Sequence, residues 1–225
     1  MPQHRSDLAT DRPDPEALTG TRRAWHGIAE LILAGPQYRR SGTIRLRVAP
    51  GGFASVAEPD LRVEGHELVA SGRRIPLNAV TCAELAAAVG VDVGAPAGLY
   101  DEGSGATPDD PVAVDAVAAE YLGRCLALGD AALRRFAPEA SPVLWPEHFD
   151  LGITIDAVNY GISLGDGYLA EPYAYVGPWT PREGDFWNAP FGAARPLPAL
   201  SDVDGVVTFF AAGADEERRA TGGAP

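Results

Sequence analysis

The stretch LWPEHFDLGITIDAVNYGISLGDGYLAEPYAYVGPW, residues 144–179, gathers side chains able to handle a proton or a hydrogen bond. Alternation over 148–155 places His148, Asp150, Gly152 and Thr154 on one side of a strand and Phe149, Leu151, Ile153 and Ile155 on the other. His148 and Asp150 then point the same way, about 7 Å apart along the strand. That spacing suits two contacts to one substrate, or catalysis in which a His/Asp pair moves a proton. A two-residue turn at Asp156-Ala157 would start a second strand and pair Ile155 with Val158, Thr154 with Asn159, Gly152 with Gly161 and Asp150 with Ser163. A third strand over 172–178 adds Tyr173 and Tyr175 to the same face. The expected small-molecule site is therefore a wall of catalytic His148 and Asp150 and ligand-binding Thr154, Asn159, Ser163, Tyr173, Tyr175 and Trp179, floored by glycines.

An antiparallel sheet also commonly leaves one face in water, and an alternating polar face needs no ligand. What favours a pocket is composition: the face offers His, Asp, Asn, Ser, Tyr and Gly and no basic residue. Other chemistries fit less well. A His-x-Asp iron triad needs a later histidine, and no His follows His148. Gly161-Ile162-Ser163-Leu164-Gly165 matches the string of a nucleophile elbow but lies in a strand, where that motif needs a strand-to-helix turn. A zinc site would need Glu147 or Glu171 as third ligand, so no metal is assigned and the cofactor stays open.

The segments WPEHFDLGI, VNYGISLGD and EPYAYVGPW, with the earlier RVAPGGF, resemble a group of actinobacterial proteins of no known activity. The resemblance spans most of residues 15–215. It implies one continuous fold in a cytoplasmic setting and carries over no catalytic residue.

The rest of the chain reads as support. A helix over 15–34 shows an apolar stripe of Leu18, Trp25, Ile28, Ile32 and Leu33, stops at Gly35-Pro36, and carries Arg22, His26 and Glu30 as an exposed ion-pair line. A strand meander follows over 43–77, with His66 as a solvated turn residue. Thr81 and Glu84 form a capping box for a helix over 82–89. Residues 91–111 read as a mobile acidic loop. A long amphipathic helix covers 112–136, and Ser201-Asp202 caps a last helix over 203–219. The aromatic loop 179–198 should cover the polar face or plug the core, because Trp179, Phe186, Trp187 and Phe191 seldom all stay exposed. The expected fold is α+β: an antiparallel β-sheet of two hairpin groups braced by three longer helices. It forms a single domain over 15–219 between an arm (1–14) and a frayed tail (220–225); no internal repeat is visible, although two helix-plus-strand blocks on either side of residue 100 leave a two-lobed arrangement open.

Among the 225 residues, 31 acidic against 18 basic side chains give a net charge of −13, and every basic residue is arginine. Such a balance argues against nucleic acid or anionic membrane as a partner. Two distant cysteines, no secretory leader and no run of roughly 18 apolar residues fit a reduced cytoplasmic setting. The competing function class is a non-catalytic interaction protein that docks a partner through its acidic surface and the aromatic 179–191 loop.

Overall fold

The computed structural model describes residues 8, 12–100 and 103–222. Asp14 starts the first helix, α1 (Pro15–Ile28), by accepting from the backbone N–H groups of Glu16 and Ala17. The stop expected at Gly35-Pro36 does not occur. The helix widens into a π segment (Ala29–Ala34), in which the Gly35 N–H bonds the Glu30 carbonyl five residues back, and continues as α2 (Gly35–Ser41). A proline early in the next turn lacks only a donor that the widened turn does not need. Gly42, in the left-handed region, ends it.

Five short strands follow: β1 (Leu46–Ala49), β2 (Gly52–Ser55), β3 (Leu61–Glu64), β4 (Glu67–Ala70) and β5 (Arg73–Pro76). A two-stranded ribbon of β6 (Val80–Thr81) and β7 (Pro111–Val112) brackets α3 (Cys82–Val89), which opens on the Thr81–Glu84 capping box. The long helix is α4 (Ala116–Phe136), shorter at its start than its pattern suggested because Asp115 caps it and Pro111–Val112 pairs as a strand. Strands β8 (Val143–Trp145), β9 (Asp150–Ile155), β10 (Val158–Ser163), β11 (Tyr173–Pro178) and β12 (Ala193–Pro196) follow, then the short α5 (Leu197–Leu200) and α6 (Val203–Gly222).

All strands but the ribbon join one antiparallel sheet in the order β12-β11-β10-β9-β8-β1-β2-β3-β4-β5. This order is a palindrome. Each half is a five-stranded meander preceded by a long helix, and β1 pairs antiparallel with β8 at the centre. The two helix-plus-strand blocks on either side of residue 100 thus form the two halves of one sheet and meet at β1 and β8.

The helices cover one face of this sheet. α4 packs on β1, β2, β9 and β10, and α6 on β11. Tyr160 of β10 meets Phe136 of α4 and Phe210 of α6 at 4.8 and 5.9 Å between ring centroids. Phe53 and Phe149, one from each half, meet edge to face at 5.3 Å, with Trp25 of α1 against Phe53. These rings and the buried Ile28, Leu46, Leu122, Leu144 and Leu151 form one core spanning both halves.

Three supporting segments differ from expectation. Leu8 is buried in the core and Arg12 pairs with Glu171, so the described part of the 1–14 arm is anchored. The described part of loop 91–111 is tied down: the Gly94 N–H bonds the Leu31 carbonyl at 3.0 Å, Arg39 reaches the Asp92 and Gly94 carbonyls, and the Ser104 N–H bonds Glu30 at 2.9 Å. Gly35 permits this, because a Cβ there would collide with the Gly94 carbonyl. Glu30 is therefore buried rather than part of an exposed ion-pair line. At the other end α6 runs past 219 to Gly222.

Candidate functional site

The open face of β9–β11 is built from the hairpin outward. Asp156 and Ala157 both take positive φ, +49° and +61°, the handedness a two-residue turn needs to match strand twist. The register follows as the alternation implied: Ile155 opposes Val158, Thr154 opposes Asn159, Gly152 opposes Gly161 and Asp150 opposes Ser163. Across the next ladder Gly161 opposes Tyr175 and Ser163 opposes Tyr173. The glycines have a specific use. A Cβ on Gly161 would lie 2.4 Å from the Tyr175 ring, and one on Gly152 would lie 3.0 Å from its hydroxyl. Tyr175 thus lies flat across β10 and β9 and donates its hydroxyl hydrogen bond to Asp150.

This face holds a trough with two lobes. One, of about 570 Å³, is bounded by Arg45, Trp145, Thr154 and Tyr175. The other, of about 510 Å³, is bounded by Tyr173, Trp179 and Phe191. Asp150, His148, Asn159 and Tyr175 line both, so the Asp150–Tyr175 pair sits at the waist. Burial pushes the Asp150 carboxyl above its ordinary range, against the pull of the Tyr175 hydrogen bond and of nearby His148. Burial, and then the Asp150 charge, drives the Tyr175 hydroxyl well above the usual phenol value. Tyr175 therefore stays protonated as donor, while Asp150 moves toward the range where a carboxyl can exchange a proton.

His148 is not on the strand. Residues 146–149 form a turn in which Phe149 adopts φ +53° and enters the core, so β9 begins at Asp150. The regular spacing of His148 and Asp150 along one strand is lost. His148 stands instead as an exposed rim residue beside Glu147, 3.5 Å away. The turn is held from below by His26, whose Nε2 bonds the Pro146 carbonyl at 2.7 Å and whose ring stacks on Phe149 at 5.3 Å. Burial, opposed by the Pro146 contact, pulls the His26 pKa down.

The remaining wall residues divide into tied and open groups. Thr154 donates to the Asn159 side-chain oxygen at 2.8 Å, and the Trp179 indole N–H reaches the same oxygen at 3.3 Å. Tyr173 donates to Asp166, a residue that alternation left in the turn after β10. Asp166 also accepts the Tyr168 and Leu169 backbone N–H groups at 2.8 and 3.0 Å, and the Ser163 hydroxyl lies 3.5 Å from it. Ser163 is buried at the end of β10, which leads into a turn and a third strand rather than into the helix of a nucleophile elbow. Alternation along the three strands does not reach Asp166 or Arg45, and Phe191 stands out only as one aromatic of the 179–198 loop.

The aromatic loop after β11 both covers and plugs. Phe191 stacks beside Tyr173 at 6.2 Å and meets Tyr175 edge-on at 6.4 Å. Phe186 turns inward onto Phe209 of α6 at 5.5 Å. Trp179 alone stays mostly exposed, 69 % accessible at the rim of the trough. Among the described residues no three His, Cys, Asp or Glu side chains are grouped as a metal site, and no helix is long and apolar enough to cross a membrane.

No family model matches the chain, and neither a curated protein nor a solved structure matches it.

Proposed function

We propose that the trough over β9–β11 binds a small organic molecule and that Asp150, with Tyr175 as its donor, exchanges a proton with it while His148 on the rim contacts it. The observation that carries this reading is the state of Asp150. Its carboxylate is half-buried in a concave site, where burial raises its pKa, and its one side-chain hydrogen bond among the described residues comes from Tyr175. A face made only to meet water would have no use for a desolvated acid beside an open cavity.

The test is Asp150→Asn, followed by native mass spectrometry and fragment binding read by NMR. The amide keeps the shape and removes a charge that is costly to bury, so the variant should be as stable as the parent or more so, by about 1 kcal/mol. Ligand affinity or turnover should fall by at least about tenfold. Unchanged binding with reduced stability would make Asp150 a structural residue and end the proposal. The docking alternative rests on fewer side chains than the loop composition implied, since Phe186 turns inward onto Phe209 and leaves Trp179 and the partly stacked Phe191 on the surface.

A further inference from the structure

The lobe between β11 and the segment that follows it differs in chemistry from the rest of the trough. Its rings are Tyr173, Tyr175, Trp179 and Phe191, with the imidazole of His148, and its carboxylates are Asp150 and Asp166. No arginine lines it, and the chain has no lysine. The two acids are not equivalent. Asp166 accepts the Tyr173 hydroxyl and two backbone N–H groups and is held by its own turn. Asp150 takes one side-chain hydrogen bond, to a single oxygen, in a site where burial penalises its charge. A carboxylate can accept about four hydrogen bonds, and with the Tyr175 hydroxyl and its own backbone N–H as partners Asp150 keeps about half of that capacity.

That leftover capacity has a sign. A ligand carboxylate or phosphate placed here would face two acids with no arginine on the wall and His148 as its one basic side chain, inside a protein of net charge −13. A neutral hydroxyl would satisfy one oxygen and leave the charge uncompensated. A protonated amine supplies full charge and up to three N–H donors to Asp150, and its charge is attracted to the faces of nearby rings. Trp179, the strongest ring for such contact, stands at the rim with its indole N–H held by Asn159 and with 69 % of its surface open.

We infer that this lobe recognises the ammonium group of a small organic amine, with Asp150 as counter-ion and Trp179 and Phe191 as aromatic walls. The inference rests on the trough being a binding site and names the class of ligand that it takes.

Benzylamine, benzyl alcohol and benzoate share a ring and differ in the charge of the polar end, which makes them a direct set of probes. Each is titrated into the full chain and followed by ¹⁵N–¹H NMR and tryptophan fluorescence. Benzylamine should saturate with shifts at Asp150, Tyr175 and Trp179, and bind at least about tenfold more tightly than benzyl alcohol, with benzoate weakest. Asp150→Asn should bring amine and alcohol to within about threefold of each other. Trp179→Ala, at an exposed position that leaves folding intact, should weaken benzylamine more than benzyl alcohol. If the alcohol or benzoate binds at these residues as tightly as the amine, the amine inference fails and the trough stands as a site. If none of the three, and no member of a neutral, anionic and cationic fragment set, gives saturable shifts there, the binding site itself fails and the inference with it.

Discussion

The two halves of the sheet share a plan and use their open faces differently. The pairing of Leu46 with Leu144 at the centre makes Ala54 the counterpart of Asp150, Arg62 of Ser163 and Val69 of Tyr173. On the first half Arg62, Glu64, Glu67 and Arg74 form a ladder of ion pairs at 2.5–2.8 Å. Each charge there meets an opposite one and the rest of its shell is water. On the second half the counterpart row carries Asp150, Ser163 and Tyr173, with no arginine among them to pair with the half-buried acid. The turns differ as well. β1 and β2 pair up to Ala49 and Gly52 around Pro50-Gly51, whereas β8 and β9 stop at Trp145 and Asp150 and leave 146–149 to carry Glu147 and His148 to the rim. One backbone plan thus serves as a solvated face or as a concave site, and what separates the two is whether the charges on it satisfy one another.

The largest expected effect on this contrast is at the trough floor. Gly161→Ala puts a methyl group 2.4 Å from the Tyr175 ring and 2.6 Å from the Leu151 carbonyl oxygen. It should cost about 2 kcal/mol in denaturant unfolding and displace Tyr175 from Asp150, visible as loss of the slowly exchanging hydroxyl proton. A neutral substitution would mean that the glycines do not hold the trough open.

Tyr175→Phe is smaller and dependent on pH. It removes the donor from Asp150 and should cost about 1–2 kcal/mol at pH 7. Because the Asp150 pKa is raised in the folded chain, its contribution to stability is full below the unfolded-state pKa of about 4 and is lost as pH rises through the folded value. Loss of the phenol raises that value further. The gap between parent and variant should therefore be narrow in acid and open as pH rises; a gap independent of pH would show that Tyr175 acts by packing alone.

Smallest is Arg74→Ala on the first half. Its partners Glu64 and Glu67 stay solvated, so the melting temperature should hardly move and any change should vanish in high salt. A loss as large as that of Tyr175→Phe would erase the distinction between the two faces.

The hairpin was legible in the sequence to the residue, because period-two alternation across a two-residue turn admits one register that keeps Leu151, Ile153, Tyr160 and Ile162 on the core side. His148 was not, because alternation assumes extended backbone and cannot see the positive φ of Phe149. The helix end at Gly35-Pro36 failed for a similar reason: a π turn and the packed Gly94 backbone override two residues that ordinarily end helices. Asp166 was visible only as part of a turn, since its bond to Tyr173 joins residues in a ladder the turn merely precedes.

By itself the sequence determined the α+β class, the first meander, the β9–β11 strands with their register, and the face on which Asp150, Asn159, Ser163, Tyr173 and Tyr175 gather, but not β8 or β12. These follow from local periodicity, turn residues and the separation of apolar from polar side chains, all of which act over a few residues. Only the tertiary structure decided that the two meanders join through β1 and β8 into one sheet, that the helices take one face and leave the other open, and that Tyr175 crosses two strands to Asp150. Those outcomes depend on contacts between residues far apart in the chain, where shape and burial, rather than pattern, choose the partner.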